Sequence, residues 1–306
     1  MWADAVFEGG GVKGIGLVGA LQVLEEKGYR FKRVAGTSAG ALIAALVAAG
    51  YTAQELYEIL LKKDFQELLV PRSRWPWIRT ALRVWWKKGI YSGNAYEKWV
   101  EELLLKKGIQ TFADFKETEL YVIASDISQN KLLVIPDDLE SYGYQADQFS
   151  VARAIRMSSS IPYFFEPVKW MDRTSQTECY IVDGGVLSNY PIWIFDREVP
   201  RWPTFGFRLI STERKVNQID GPLSMFMSIL LTMLDAHDNR AIDSQECVRT
   251  VMVPASGIKM IDFDINQDKK KKLYRSGQQA ARKFFEHWSF EEYLRARGKW
   301  SGGRRN

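Results

Sequence analysis

Histidine is nearly missing from this chain: two in 306 residues, His237 and His287. The shortage bears on chemistry, because imidazole is the usual proton acceptor for a serine or cysteine nucleophile. Cysteine is equally scarce, at two. Cys179 and Cys247 form no C-x-x-C pair and have no histidine beside them, so the sequence supports no metal site. Two cysteines do not make a disulfide-stapled secreted scaffold, and a reducing, cytoplasmic setting is expected. The start, Met1-Trp2-Ala3-Asp4, lacks the basic and apolar stretches of a secretory leader. The longest apolar runs, 41–49 and 222–234, fall short of the about 20 residues that cross a bilayer. There is no internal repeat.

What is present reads as an ordinary globular chain, 46% hydrophobic and 26% charged. The net charge is +5. A modest basic excess suits an anionic partner, either a phospholipid surface or nucleic acid, and charge alone does not choose between them. Tryptophan is abundant, at eleven, and clustered.

The first fifty residues alternate strand and helix. A short extended run at 4–8 ends in Gly9-Gly10-Gly11. Ile15, Val18, Leu21 and Leu24 then recur at helical spacing up to Gly28, a C-cap residue. A second strand is predicted at 31–35, followed by Gly36-Thr37-Ser38-Ala39-Gly40 and an Ala-rich helix that stops at Gly50. Thr52 opens the next helix with Glu55 at capping-box spacing. This order predicts an α/β fold, a three-layer sandwich with a mostly parallel central sheet flanked by helices. Further strands are predicted at 120–126, 131–135, 180–182, 205–210 and 249–253, with helices at 94–106, 150–158, 222–240 and 268–288. We read residues 1–295 as one domain and 296–306 as a disordered polar tail.

Three motifs carry chemistry. Gly36-Thr37-Ser38-Ala39-Gly40 is a G-x-S-x-G sequence between strand and helix. A sharp turn there pushes the serine Oγ outward, and the flanking glycines avoid collisions. The same sequence also fits a glycine-rich turn with Ser38 as a helix N-cap. Gly9-Gly10-Gly11-Val12-Lys13-Gly14 sits at the preceding strand-to-helix junction. Such a loop exposes backbone N–H groups, as phosphate sites and oxyanion holes do. It is no Walker A loop, but Gly9, Gly11 and Gly14 fit G-x-G-x-x-G, so a nucleotide site competes. Lys13 opposes the helix dipole, which implies an anion nearby or a side chain turned to solvent. Asp183 follows the apolar Tyr180-Ile181-Val182 and precedes two glycines. It is better placed for a base than either histidine, since both of those fall inside predicted helices; an Asp-Gly turn is the plainer use.

Together these blocks resemble the patatin-like phospholipase family, marked by a G-G-G-x-[KR]-G loop, a G-x-S-x-G elbow and a later D-G-[GA]. All three occur in order here, at 9–14, 36–40 and 183–185. Ser158-Ser159-Ser160-Ile161-Pro162, Phe165, Pro167, Asn189 and Pro191 also match, so the resemblance covers about 4–195. It implies a Ser-Asp dyad with Ser38 as nucleophile and Asp183 as base, which removes the need for histidine. It further implies an oxyanion hole from the N–H groups of Gly9, Gly10 and Gly11, and acyl-lipid substrates, chiefly glycerophospholipids. Neither a metal nor a cofactor is implied. Lys13 and Gly14 are carried over as substrate-binding residues.

Residues 71–91 hold Trp75, Trp77, Trp85 and Trp86 among six Arg and Lys and no acid. On a helix, Trp77, Ala81, Val84 and Trp85 share a face. That composition suits peripheral contact with an anionic membrane, or a covering helix with solvated charges. Single-stranded nucleic acid would also fit it, but that leaves Ser38 without a role, and no nucleic-acid partner is expected. Leu223, Phe226, Met227, Leu230 and Leu231 are candidates for an acyl pocket or simply core. The competing functions are thus a nucleotide-binding protein using 9–14 and a non-catalytic lipid-binding protein. Oligomeric state is not legible.

Overall fold

The computed structural model describes residues 1–69, 88–210 and 244–298, with isolated positions between 219 and 232. Most of the expected helix at 222–240, His237 included, most of the Trp-rich stretch and residues 299–306 lie outside the described residues.

The predicted alternation is present. β1 (Trp2–Phe7) leads through a 3-10 turn (Gly11–Gly14) into α1 (Ile15–Glu26). β2 (Arg30–Thr37) then leads into α2 (Ala39–Ala48), and α3 (Ala53–Lys62) follows with the Thr52/Glu55 capping box formed. β3 (Gly89–Tyr91), α4 (Asn94–Leu105), β4 (Glu119–Asp126), β5 (Lys131–Ile135) and α5 (Val151–Ser158) come next. β6 (Tyr163–Phe165), β7 (Val168–Asp172), β8 (Thr177–Asp183), β9 (Thr204–Ile210) and β10 (Thr250–Pro254) complete the strands. α6 (Gln267–His287) and α7 (Phe290–Gly298) follow, so regular structure reaches three residues into the expected tail.

The main sheet runs β10-β9-β1-β2-β4-β8-β7, with β5 also on β4. Neighbours from β10 to β4 are parallel. β5, β8 and β7 are antiparallel to the strands they pair with, so the sheet is mixed and mostly parallel. Side chains alternate across it. Ala5 and Val34, paired neighbours, point into the main core with α1 and α2. Val6 and Ala35 point the other way, where Ile192 and Phe195 cover them.

The register at β4 positions the site. β2 lies parallel to β4 and ends at Thr37, opposite Ile123. β8 lies antiparallel on the same edge and ends at Asp183, opposite Ala124. β5 occupies the other edge at both positions. Two strands of opposite direction therefore end head to head on consecutive residues of β4.

On the core side α1 packs against α6 with backbones almost touching. A side chain at Gly277 would lie 1.9 Å from the Gly16 carbonyl oxygen, and one at Gly19 would lie 2.0 Å from that of Tyr274.

Candidate active site

The G-x-S-x-G turn is built as the spacing predicts. Ser38 is a non-glycine residue at φ 55°, ψ −122° and precedes the first residue of α2. Such a conformation costs of order 1–3 kcal/mol and persists only where its surroundings hold it. Here the holding is specific. The Ser38 N–H donates to Ser158 Oγ at 2.8 Å, and Ser158 Oγ donates to the Ile123 carbonyl at 2.5 Å. A side chain at Gly40 would lie 2.2 Å from the Phe7 carbonyl oxygen, so only glycine lets α2 approach the end of β1.

Asp183 is 2% exposed and Ser38 is 4% exposed. Asp183 Oδ1 accepts the Gly185 N–H at 2.8 Å. Oδ2 completes no well-formed hydrogen bond among the described residues, although the Ser38 side chain is close enough to pull the carboxyl pKa down. Burial outweighs both donors and pushes that pKa up to about 6. A carboxyl of this kind is a far better proton acceptor than one in water, and it ionises near neutrality.

The glycine loop passes beside this pair. Gly9 donates its N–H to the Asn189 carbonyl at 3.1 Å and accepts from Asn189 Nδ2 at 3.3 Å. Val12 donates to the Met260 carbonyl and Lys13 to that of Gly10. No such bond joins the N–H of Gly10 or Gly11 to another backbone group among the described residues. Gly11 is at φ +55°, and a side chain there would lie 2.1 Å from the Met260 carbonyl oxygen. Lys13 is 7% exposed, so it does not turn outward to solvent.

Ser38 opens onto a narrow cavity of about 70 Å³ lined with Gly11, Gly14, Leu42, Leu60, Phe65, Phe165 and other apolar side chains. Tyr96 and Ser159 are the further hydroxyl side chains on its wall, 3.2 Å apart. A larger groove of about 680 Å³ runs along β10 and α6 and touches neither Ser38 nor Asp183. His287 lines that groove, away from Ser38 and Asp183. No group of three or more His, Cys, Asp or Glu is placed to hold a metal ion among the described residues. No helix among them is long and apolar enough to cross a membrane.

The family model for patatin-like phospholipases matches residues 5–196. The chain belongs to the patatin-like phospholipase family. Relatives of this patatin-like chain include YqhO of Bacillus subtilis, an uncharacterized protein 44% identical over 298 residues, covering 95% of this chain and all of that one. A probable lipid hydrolase, 463L of invertebrate iridescent virus 6, is 28% identical over 61% of each chain. The triacylglycerol lipase ptl3 of Schizosaccharomyces pombe is 26% identical over 64% of this chain and 40% of its own. Among solved structures the fold is similar to VipD of Legionella pneumophila, with TM-score 0.53 and 15% identity. It also resembles the type III effector ExoU of Pseudomonas aeruginosa, with TM-score 0.50 and 16% identity. Each match covers 93% of this patatin-like chain; it spans 66% of VipD and 52% of ExoU.

The structure adds relationships that the sequence did not show. Asp183 ends a strand antiparallel to β4, so the end of β8 meets the end of β2 head to head beside Ser38. The Gly9 N–H, expected in an oxyanion hole, is engaged by Asn189. Trp75, Trp77, Trp85 and Trp86, and the apolar candidates Leu223, Phe226, Met227, Leu230 and Leu231, have no described side chain. The sequence reading gave no role to Tyr96, to Ser158 as the brace of Ser38, or to Asn189 as the anchor of Gly9. The serine run and Asn189 were visible as family blocks; Tyr96 carried no signal, because its neighbours come from distant parts of the chain.

Proposed function

We propose that this patatin-like chain is a serine acyl hydrolase that releases fatty acids from glycerophospholipids or related acyl lipids. One observation carries the reading: a serine in a braced, positive-φ elbow that lines an apolar cavity, with a fully buried carboxyl beside it.

Asp183 takes the Ser38 proton as Oγ attacks the ester carbonyl. The carbonyl oxygen gains charge, and the N–H groups of Gly10 and Gly11 stabilise it. Gly9 serves this hole by fixing the loop through Asn189. Asp183 then protonates the departing alcohol, leaving an acyl group on Ser38, and water releases the fatty acid. The acyl chain lies in the cavity lined by Leu42, Leu60 and Phe165. Gly14 lines the same cavity, and Lys13 is the loop's cation for an anionic headgroup. No metal or cofactor takes part in these steps. The basic, Trp-rich stretch at 71–91 brings the protein to anionic membrane.

The test compares wild type with Ser38→Ala and Asp183→Asn on mixed phospholipid vesicles, reading released fatty acid by mass spectrometry. Both variants are expected to lose release, and a fluorophosphonate is expected to label Ser38 of wild type. Folded wild-type protein that neither labels nor releases fatty acid overturns the reading.

A further inference from the structure

Three consecutive serines each hold a different part of the site. Ser158 Oγ accepts the Ser38 N–H. The Ser160 carbonyl accepts the Asp183 N–H at 2.9 Å. Between them, Ser159 Oγ pairs with the Tyr96 hydroxyl at 3.2 Å. Nucleophile, candidate base and a phenol are thus tied to one short backbone segment at the end of α5.

Tyr96 sits in the first turn of α4 with its ring half-buried against Trp99 and Phe165. Its hydroxyl end is desolvated, which pushes its pKa up to about 12, and the Asp183 charge adds to that rise. At any working pH it is a neutral phenol within reach of the Asp183 field. Arg156, 3% exposed, ties the turn before α4 to the serine segment, donating to the carbonyls of Ser92 at 2.9 Å and Glu166 at 2.7 Å and to Ser160 Oγ. The guanidinium fills the space a side chain at Gly93 would need, just before α4 begins.

The apolar cavity therefore has one polar corner: Ser38, Tyr96 and Ser159 on its wall, with the buried Asp183 Oδ2 behind them. During acylation Oδ2 faces the Ser38 hydroxyl. Once Oγ carries an acyl group it has no proton to offer, and Oδ2 needs another donor.

We propose that Asp183 Oδ2 and the Tyr96–Ser159 hydroxyl pair together hold the water that hydrolyses the acyl-enzyme. The inference rests on the Ser38 acyl-enzyme reading. With Tyr96 donating to Ser159 Oγ, the phenol oxygen keeps a lone pair for one water hydrogen. The other water hydrogen points to Asp183 Oδ2. A water lone pair is then left for the acyl carbon. As the water oxygen bonds to that carbon, one proton passes to Asp183. The carbon–Oγ bond then breaks, Asp183 returns the proton to Oγ, and the fatty acid leaves with the remaining hydrogen. Tyr96 and Ser159 exchange no proton and act as positioning residues.

The test uses a p-nitrophenyl acyl ester in stopped flow, with intact-protein mass spectrometry. Tyr96→Phe keeps the ring and removes only the hydroxyl. Fluorophosphonate labelling of Ser38 should stay close to wild type while steady-state turnover falls about ten- to hundredfold, the usual range for one lost polar contact to a reacting group. A burst approaching one p-nitrophenol per enzyme should appear, with an acyl adduct on Ser38. Hydroxylamine, a stronger nucleophile that depends less on being held, should restore turnover. Ser159→Ala should change the same quantities in the same direction, and decides the matter if Tyr96→Phe fails to fold. Equal losses in labelling and turnover with no adduct, or no change in either variant, overturn the inference. Absence of labelling in wild type would instead remove the acyl-enzyme reading on which it rests.

Discussion

Asn189 holds Gly9 at two points, accepting its N–H through the backbone carbonyl at 3.1 Å and donating to its carbonyl through Nδ2 at 3.3 Å. Gly9 opens the glycine loop, and Asn189 lies six residues past Asp183. The two halves of the proposed site are joined by this pair as well as by β4.

Asn189→Ala keeps the backbone bond and removes the side-chain one. The loop loses its register against the ester carbonyl, so kcat is expected to fall about ten- to hundredfold, as when one oxyanion donor is misplaced. Fluorophosphonate labelling of Ser38 should slow in parallel. Unchanged labelling would show that the loop does not depend on this anchor.

The pH profile follows from Asp183. Burial holds its pKa at about 6, and only the ionised form accepts the Ser38 proton. kcat/KM should rise about tenfold per pH unit below that value and level off above it. The rate of Ser38 labelling should follow the same curve. A profile flat from pH 5 to 8 would assign the base elsewhere.

Asp183→Asn should give a more stable, inactive protein at neutral pH. The folded state binds the Asp183 proton more tightly than the unfolded chain does, because burial penalises the charge. Stability from this group is thus full in acid and is lost as pH rises from the ordinary 3.8 to about 6. Above that window the buried charge costs about 3 kcal/mol. The variant should melt higher than wild type at pH 7.5 and show little gain at pH 4, read by calorimetry.

Lys270 supports the cavity wall. It is 3% exposed and donates to the carbonyls of Leu60 at 3.0 Å and Lys63 at 2.6 Å, at the end of α3. Lys270→Met leaves those buried acceptors without their donor, a loss of about 1–3 kcal/mol. Leu60, Phe65 and Leu68 line the cavity, so preference among acyl chain lengths should change with it. Chain-length profiles and urea melts check both.

The early strand–helix alternation was legible because caps, apolar spacing and glycine stops agree over residues 1–50. The candidate dyad was legible only as motifs. Nothing local in Tyr180-Ile181-Val182-Asp183 reveals that β8 runs antiparallel to β4, since a buried strand reads the same in either direction. β7 was missed although Val168, Trp170 and Asp172 point inward and Lys169 and Met171 outward, because a five-residue strand after Pro167 gives too short a pattern. The commitment of the Gly9 N–H depends on a partner 180 residues away. Tyr96 reads as one apolar residue of an amphipathic helix until α5 is packed against it.

The close contact of Gly16 and Gly19 with Gly277 and Tyr274 sets a timetable for synthesis. Ser38, Asp183 and the glycine loop all leave the ribosome before residues 267–287 exist. Until that long helix emerges, the face of α1 that carries Gly16 and Gly19 lacks the helix it packs against. A nascent chain, or one cut short before α6, therefore holds every reactive side chain of the proposed site without the helix that packs against α1.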